Sequence, residues 1–392
     1  MKKARLLIII VGSALIGVVI GRSLVKLIPA PDLHPLFGHA VGWAENLLKA
    51  GAVLMAMWAA LAAHELGHLL VGLGQGFRFV LFVAGLLGVR RHPLTDRIQV
   101  YFNRDLALAG GVAATVPTRR GPRLRQQLAA ICAAGPLTSL LTGAAALATG
   151  WHLLHSPTTT LLNTVGGRTG VVFLLVFGLM SVMLFLATTL PKRTGPFFTD
   201  RGRFFRLLGG GPAAATEQAQ LELLAHVQSG QPYAELDSDQ LALLLADEEP
   251  LVRCFAHFMA YYRGLDRAED LAALGHIRAA EELANNQPQL FRNEISKERA
   301  FAEAFVARDA TAAEQAWHTI KPALRQTPTA QHYLVQAALA LAHQNTSEAR
   351  RLAHQGQQAL PATPTKTEDV LRAKLLRRMV DSLPDAPLQT LP

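Results

Sequence analysis

Four long apolar runs decide most of what this chain can become. They lie at about residues 6–24, 47–73, 128–154 and 171–190, and crossing a bilayer takes roughly 20 apolar residues in a helix. Helix is the form expected, because lipid offers no partner for an open backbone group. The first run follows Lys2, Lys3 and Arg5 with no small-residue cleavage site. It is therefore expected to stay as an anchor rather than leave as a signal peptide. Half of the 392 residues are hydrophobic and 17% are charged, against about 25% charged in ordinary soluble domains. The apolar mass ends near Leu190, and a Gly209-Gly-Gly-Pro212 linker follows. Three parts are expected: an anchor and external loop over 1–46, a membrane core over 47–208, and a soluble α-helical domain over 209–392.

Between the second and third runs, residues 77–89 are apolar but too short to cross, and Ile98-Gln-Val-Tyr-Phe102 alternates as a strand does. The fold class expected is an α-helical membrane protein: about four transmembrane helices, a short re-entrant β-hairpin, then a repeat-like helical domain. Arginines orient it. Arg78, Arg90, Arg91, Arg97, Arg104, Arg119, Arg120, Arg123 and Arg125 crowd the loop before the third run, while residues 155–170 hold only Arg168. The positive-inside rule puts that loop, the N-terminus and the C-terminal domain in the cytoplasm, in a multi-pass protein of the cell membrane. The formal net charge of +9 is thus spent on topology, and no nucleic-acid partner is expected. Cys132 and Cys254 are expected as free thiols.

The second run contains His64-Glu65-Leu66-Gly67-His68. Positions i and i+4 of a helix share a face, so two imidazoles meet at one point. That pair suits Zn²⁺, which in catalytic sites takes three protein ligands and a water. Glu65, beside the ligand face, could take a proton from the water. A five-residue match arises by chance now and then, and a buried histidine is often only structural. Two histidines and a glutamate inside a membrane span are costly, however, and such groups are functional by default. Gly67 fits either ordinary helix packing or close approach of a neighbour. The third ligand must come from elsewhere. Asp200 fits, because Pro191 ends the fourth run and Gly195-Pro196 lets the chain turn back toward the membrane.

These features resemble the site-2 protease family of intramembrane zinc metalloproteases. His64-Glu65-Leu66-Gly67-His68 matches its metal helix, and Gly110-Gly111 stands where the family has a Gly-Gly strand by the substrate cleft. Ala134-Gly135-Pro136-Leu137 matches its Gly-Pro signature, and Pro191 with Asp200 its source of the third ligand. The resemblance covers about residues 47–208. It implies a metal set of His64, His68 and Asp200 with Glu65 catalytic, and substrate contacts at Gly110, Gly111, Ser139 and Thr188. It also implies hydrolysis of peptide bonds in or near transmembrane segments of membrane-protein substrates. Three positions depart from the family pattern: Thr188 and Ser139 replace asparagines, and Arg201 separates Asp200 from Gly202. The competing function is a non-catalytic membrane receptor or scaffold that binds membrane helices.

Beyond the linker, residues 258–283, 300–317 and 335–352 each read as a helix, a turn and a second helix. They resemble tetratricopeptide-type hairpins, at irregular spacing. Such a domain could bind a cytoplasmic protein partner on a concave face. A plain bundle that only steadies the enzyme is the alternative.

Overall fold

The computed structural model describes residues 36, 42–91, 97–105, 108–156, 160–190, 193–194, 197–284, 289–320, 322–325, 327–362 and 366–383. The first expected span lies outside them. Among the described residues, three helices are long and apolar enough to cross a membrane: α1 (Trp43–Gly74), α2 (Leu124–His155) and α3 (Val165–Thr189). Many of their large side chains face outward, among them Leu54, Leu70, Leu141 and Leu179, as a lipid-facing surface requires. The chain divides into two compact units, Met1–Ala60 with Ser139–Leu184 and Leu61–Thr138 with Phe185–Pro392.

In the first unit, Leu36, Leu154, Val171 and Val172 form a small apolar cluster. Polar groups near the start of α1 are resolved by pairing. Arg168 of α3 donates twice to the Glu45 carboxylate, at 2.7 and 2.6 Å. Lys49 lies 2.8 Å from the same carboxylate and donates to the Leu36 carbonyl at 2.5 Å. Helices α2 and α3 come close where both lack side chains: a Cβ on Gly143 would lie 2.9 Å from Ser181, and one on Gly178 2.9 Å from the Gly143 carbonyl.

In the second unit, the expected hairpin is the middle of a larger element. Strands β1 (Arg78–Ala84), β2 (Leu87–Arg91), β3 (Ile98–Phe102) and β4 (Val112–Val116) form an antiparallel sheet in the order β3-β2-β1-β4. Phe79, Phe82 and Ala84 pack with Ala62 and Leu69 of α1. Asn103 ties the end of β3 to the β1–β2 turn, its side chain donating to the Gly85 carbonyl at 2.9 Å. After α3, β5 (Arg193–Thr194) pairs antiparallel with β6 (Phe197–Phe198), and this reversal leads directly into α4 (Asp200–Leu208).

The C-terminal helices are α5 (Pro212–Gln228), α6 (Ser238–Leu245), α7 (Pro250–Arg267), α8 (Asp270–Ala284), α9 (Gln289–Ala302), α10 (Ala310–His318), α11 (Pro322–Arg325), α12 (Ala330–Ala342), α13 (Thr346–Gln358) and α14 (Thr367–Asp381). Sequence sets their ends: Asp309 caps α10, Thr329 caps α12, and Asn345 caps α13. All three expected helix pairs are present, as α7–α8, α9–α10 and α12–α13. Gly264 of α7 lets Ala273 of α8 approach, since a Cβ there would meet it at 3.0 Å. One continuous core, including Tyr261, Ile277, Phe301 and Leu376, runs through this array. Within it the buried Glu298 accepts from Tyr261 at 2.8 Å, Tyr262 at 3.0 Å and Gln331 at 2.6 Å.

Candidate metal centre

The site is built on one turn of α1. His64 and His68 face the same way, and their Nε2 atoms are 3.3 Å apart. Asp200, the first residue of α4, brings Oδ2 to 3.3 Å from His64 Nε2 and 3.5 Å from His68 Nε2. Ligands about 2.0–2.1 Å from a tetrahedral zinc lie roughly 3.3 Å from one another. The three donors are thus spaced as three protein ligands of a tetrahedral zinc would be. Both histidines are buried. With Asp200 they form the one metal-competent group of this kind among the described residues.

The surroundings hold each donor in place. His68 Nδ1 donates to the Ile131 carbonyl of α2 at 2.6 Å, which leaves Nε2 as the free donor, the outer-shell arrangement usual for metal-bound imidazole. Gly135, one turn further along α2, backs the ring so closely that a Cβ there would overlap His68. Gly67 is fitted as tightly, with a Cβ there coming 2.8 Å from the Ala134 carbonyl. Thr199 caps α4 by accepting from the Gly202 N–H at 3.3 Å and so fixes the turn that presents Asp200. Burial pushes the Asp200 carboxyl up, but hydrogen bonding and charge from the two histidines outweigh it and hold the group at about 2.

Glu65 is buried beside this cluster. The Ala113 N–H of β4 hydrogen-bonds its carboxylate. Gly111 lies against the same carboxylate with φ of +105°, a backbone conformation that only glycine adopts without strain. The two glycines stand in the turn that enters β4 rather than in the strand itself, which corrects the expected Gly-Gly strand. Gly110 is exposed, with open space where a side chain would be. Ser139 is buried on α2. Thr188 is half-buried near the end of α3, its hydroxyl donating to the Phe185 carbonyl at 3.4 Å.

Comparison with known families supplies the deciding observation: residues 52–359 match the model of peptidase family M50. The chain belongs to peptidase family M50. M50 enzymes are metalloproteases that act on membrane-protein substrates, and this member carries candidate membrane helices to match. The M50 match runs well past residue 208, where the sequence resemblance ended, into the C-terminal helices. No curated protein and no solved structure matches the chain.

Sequence reasoning missed the supports of this M50 site. The Gly-Pro pair of α2 was legible as a motif, but not that Gly135 backs His68. The Ile131 carbonyl and the Ala113 N–H carry no side-chain signal at all, because their role depends on tertiary approach.

Proposed function

We propose that this chain is a zinc endopeptidase that cuts membrane proteins in or near their transmembrane segments, with His64, His68 and Asp200 as ligands and Glu65 as general base. The observation that carries this reading is the near-equilateral spacing of the three donor atoms, with a buried carboxylate beside them. Zinc held there supplies Lewis acidity toward a scissile carbonyl and makes bound water more acidic. Glu65, steadied by the Ala113 N–H, takes a proton from the attacking water and passes it to the leaving amine. A receptor that only bound helices would have no use for that base.

β4 pairs with β1 alone among the described strands, so its outer edge offers a template for an extended, unwound substrate. Exposed Gly110 leaves room at its entry, and Ser139 and Thr188 are the hydroxyls assigned to substrate contact. The proposed organisation is a protease core over 47–208 and a cytoplasmic, tetratricopeptide-like domain over 209–392 that binds a protein partner. The N-terminus lies on the same side, in a multi-pass protein of the cell membrane.

Metal analysis of detergent-purified protein tests the centre. About one zinc per chain is expected, lost in His64→Ala/His68→Ala and held more weakly in Asp200→Ala. Glu65→Gln should keep zinc and lose cleavage of a reconstituted membrane substrate. Wild-type protein that stays metal-free with zinc supplied would overturn the reading, as would Glu65→Gln cleaving at the wild-type rate.

A further inference from the structure

Asp200 sits at the head of a helix only nine residues long, too short to hold its own position. Asp200, Arg203 and Leu207 share one face of α4 at i, i+3 and i+7. Leu207 is buried against Leu124, Leu128, Leu221 and Ala225, whereas Arg201, Phe205 and Leu208 on another face are exposed. Of the side chains on α4, Leu207 alone is a fully buried apolar one. Half-buried Phe204 packs on the same cluster, so Leu207 and Phe204 together seat the helix, while its polar side is left to charge.

Charge holds the polar side of the helix. Arg206 Nε donates to Glu217 Oε1 at 2.9 Å, and Arg203 Nη2 lies 3.7 Å from Glu217 Oε2. Arg206 Nη2 also lies 4.0 Å from Asp247, which accepts from Thr216 at 2.8 Å. The Arg206 guanidinium stacks over the Phe198 ring, 5.0 Å from its centroid, just before the turn into α4. Glu217 belongs to α5, and its side chain is 7% exposed, against 14% for Arg206. A pair this dry is intolerant of losing one member, because the other is left as a buried, uncompensated charge.

We infer that Glu217, acting through Arg206 and Arg203, is a positioning residue for the third metal ligand. The inference rests on Asp200 being a ligand. Metal sites accept ligand displacements of only about 0.2 Å, so a small rotation of α4 withdraws the carboxylate. The first C-terminal helix is thereby wired to the metal centre, and whatever shifts α5 also loosens Asp200.

The test uses full-length, cobalt-substituted protein in detergent, because four-coordinate cobalt shows intense visible bands that weaken when a ligand is lost. Glu217→Gln and Arg206→Gln are each expected to weaken cobalt affinity about tenfold and to move the bands toward those of Asp200→Ala. The double variant should be no worse than the worse single one, as coupled partners require. If Glu217→Gln lowers the melting temperature but leaves affinity and bands as in wild type, its role is merely structural and the inference fails. Should that variant not fold, Arg206→Gln reads the same coupling from the other end. Asp200→Ala binding cobalt as tightly as wild type would refute the ligand assignment, and with it this inference. Wild-type protein that binds no cobalt would remove the metal centre itself.

Discussion

At the metal site, the closest glycine fit is between Gly135 and the His68 imidazole, and it makes opposite demands on helix and site. Alanine stabilises a helix interior by about 1 kcal/mol over glycine, so Gly135→Ala should leave insertion and helicity intact or slightly improved. Its methyl group would occupy the space of the His68 ring. Zinc retention under chelator challenge should fall at least about tenfold, measured beside circular dichroism of the same sample. This contrast marks what one sequence discloses at the scale of residues. His64 and His68 were legible because helical periodicity brings them together, and Glu65 because it stands beside that face inside a membrane span. Asp200 was legible because Pro191 and Gly195-Pro196 read in the sequence as signals for the chain to stop and turn back. Gly135 and Ile131 act across a helix interface that no local pattern encodes.

At the scale of elements, the runs at 47–73, 128–154 and 171–190 were each visible as apolar stretches, yet every helix starts earlier than hydropathy indicates. α1 begins at Trp43 because Glu45 and Lys49, which look like a polar boundary, pair with each other, and Glu45 also accepts from Arg168 of α3. The Arg168–Glu45 contact is bidentate, through Nε and Nη2, a geometry that lysine cannot reproduce. Thermal melts in detergent should therefore rank wild type above Arg168→Lys, and Arg168→Lys above Arg168→Met. Equal melting of all three would show that the pair contributes nothing. The sheet was only half legible. β3 alternates cleanly, but Val112-Ala-Ala-Thr-Val116 is short and weakly patterned, and its role comes from pairing with β1 and from bonding Glu65.

At the scale of the whole molecule, the three helix pairs followed from Ala-rich periodicity and turn residues, whereas the core that joins them did not. Glu298 in that core responds to pH. Burial pushes its carboxyl above the ordinary 4.5, against Arg372 and its three hydrogen-bond donors. The folded state thus keeps a proton that the unfolded chain gives up near 4.5. This contribution to stability is complete below that pH and is lost as pH rises through the folded value. Melting of the helical domain should fall over that window in wild type and lose this component in Glu298→Gln. Topology is testable at the same scale: a reporter fused after residue 383 should be active only on the cytoplasmic side, and external activity would reverse the charge-based orientation.

The order in which the donors leave the ribosome has its own consequence. His64 and His68 emerge with α1, but Asp200 follows only after α2 and α3, and Glu217 later still. Chains are made from the N-terminus at about 5–20 residues per second, so for several seconds the newborn protein carries two imidazoles without their carboxylate. On the proposed ligand set, the centre stays incomplete until that last carboxylate has been made.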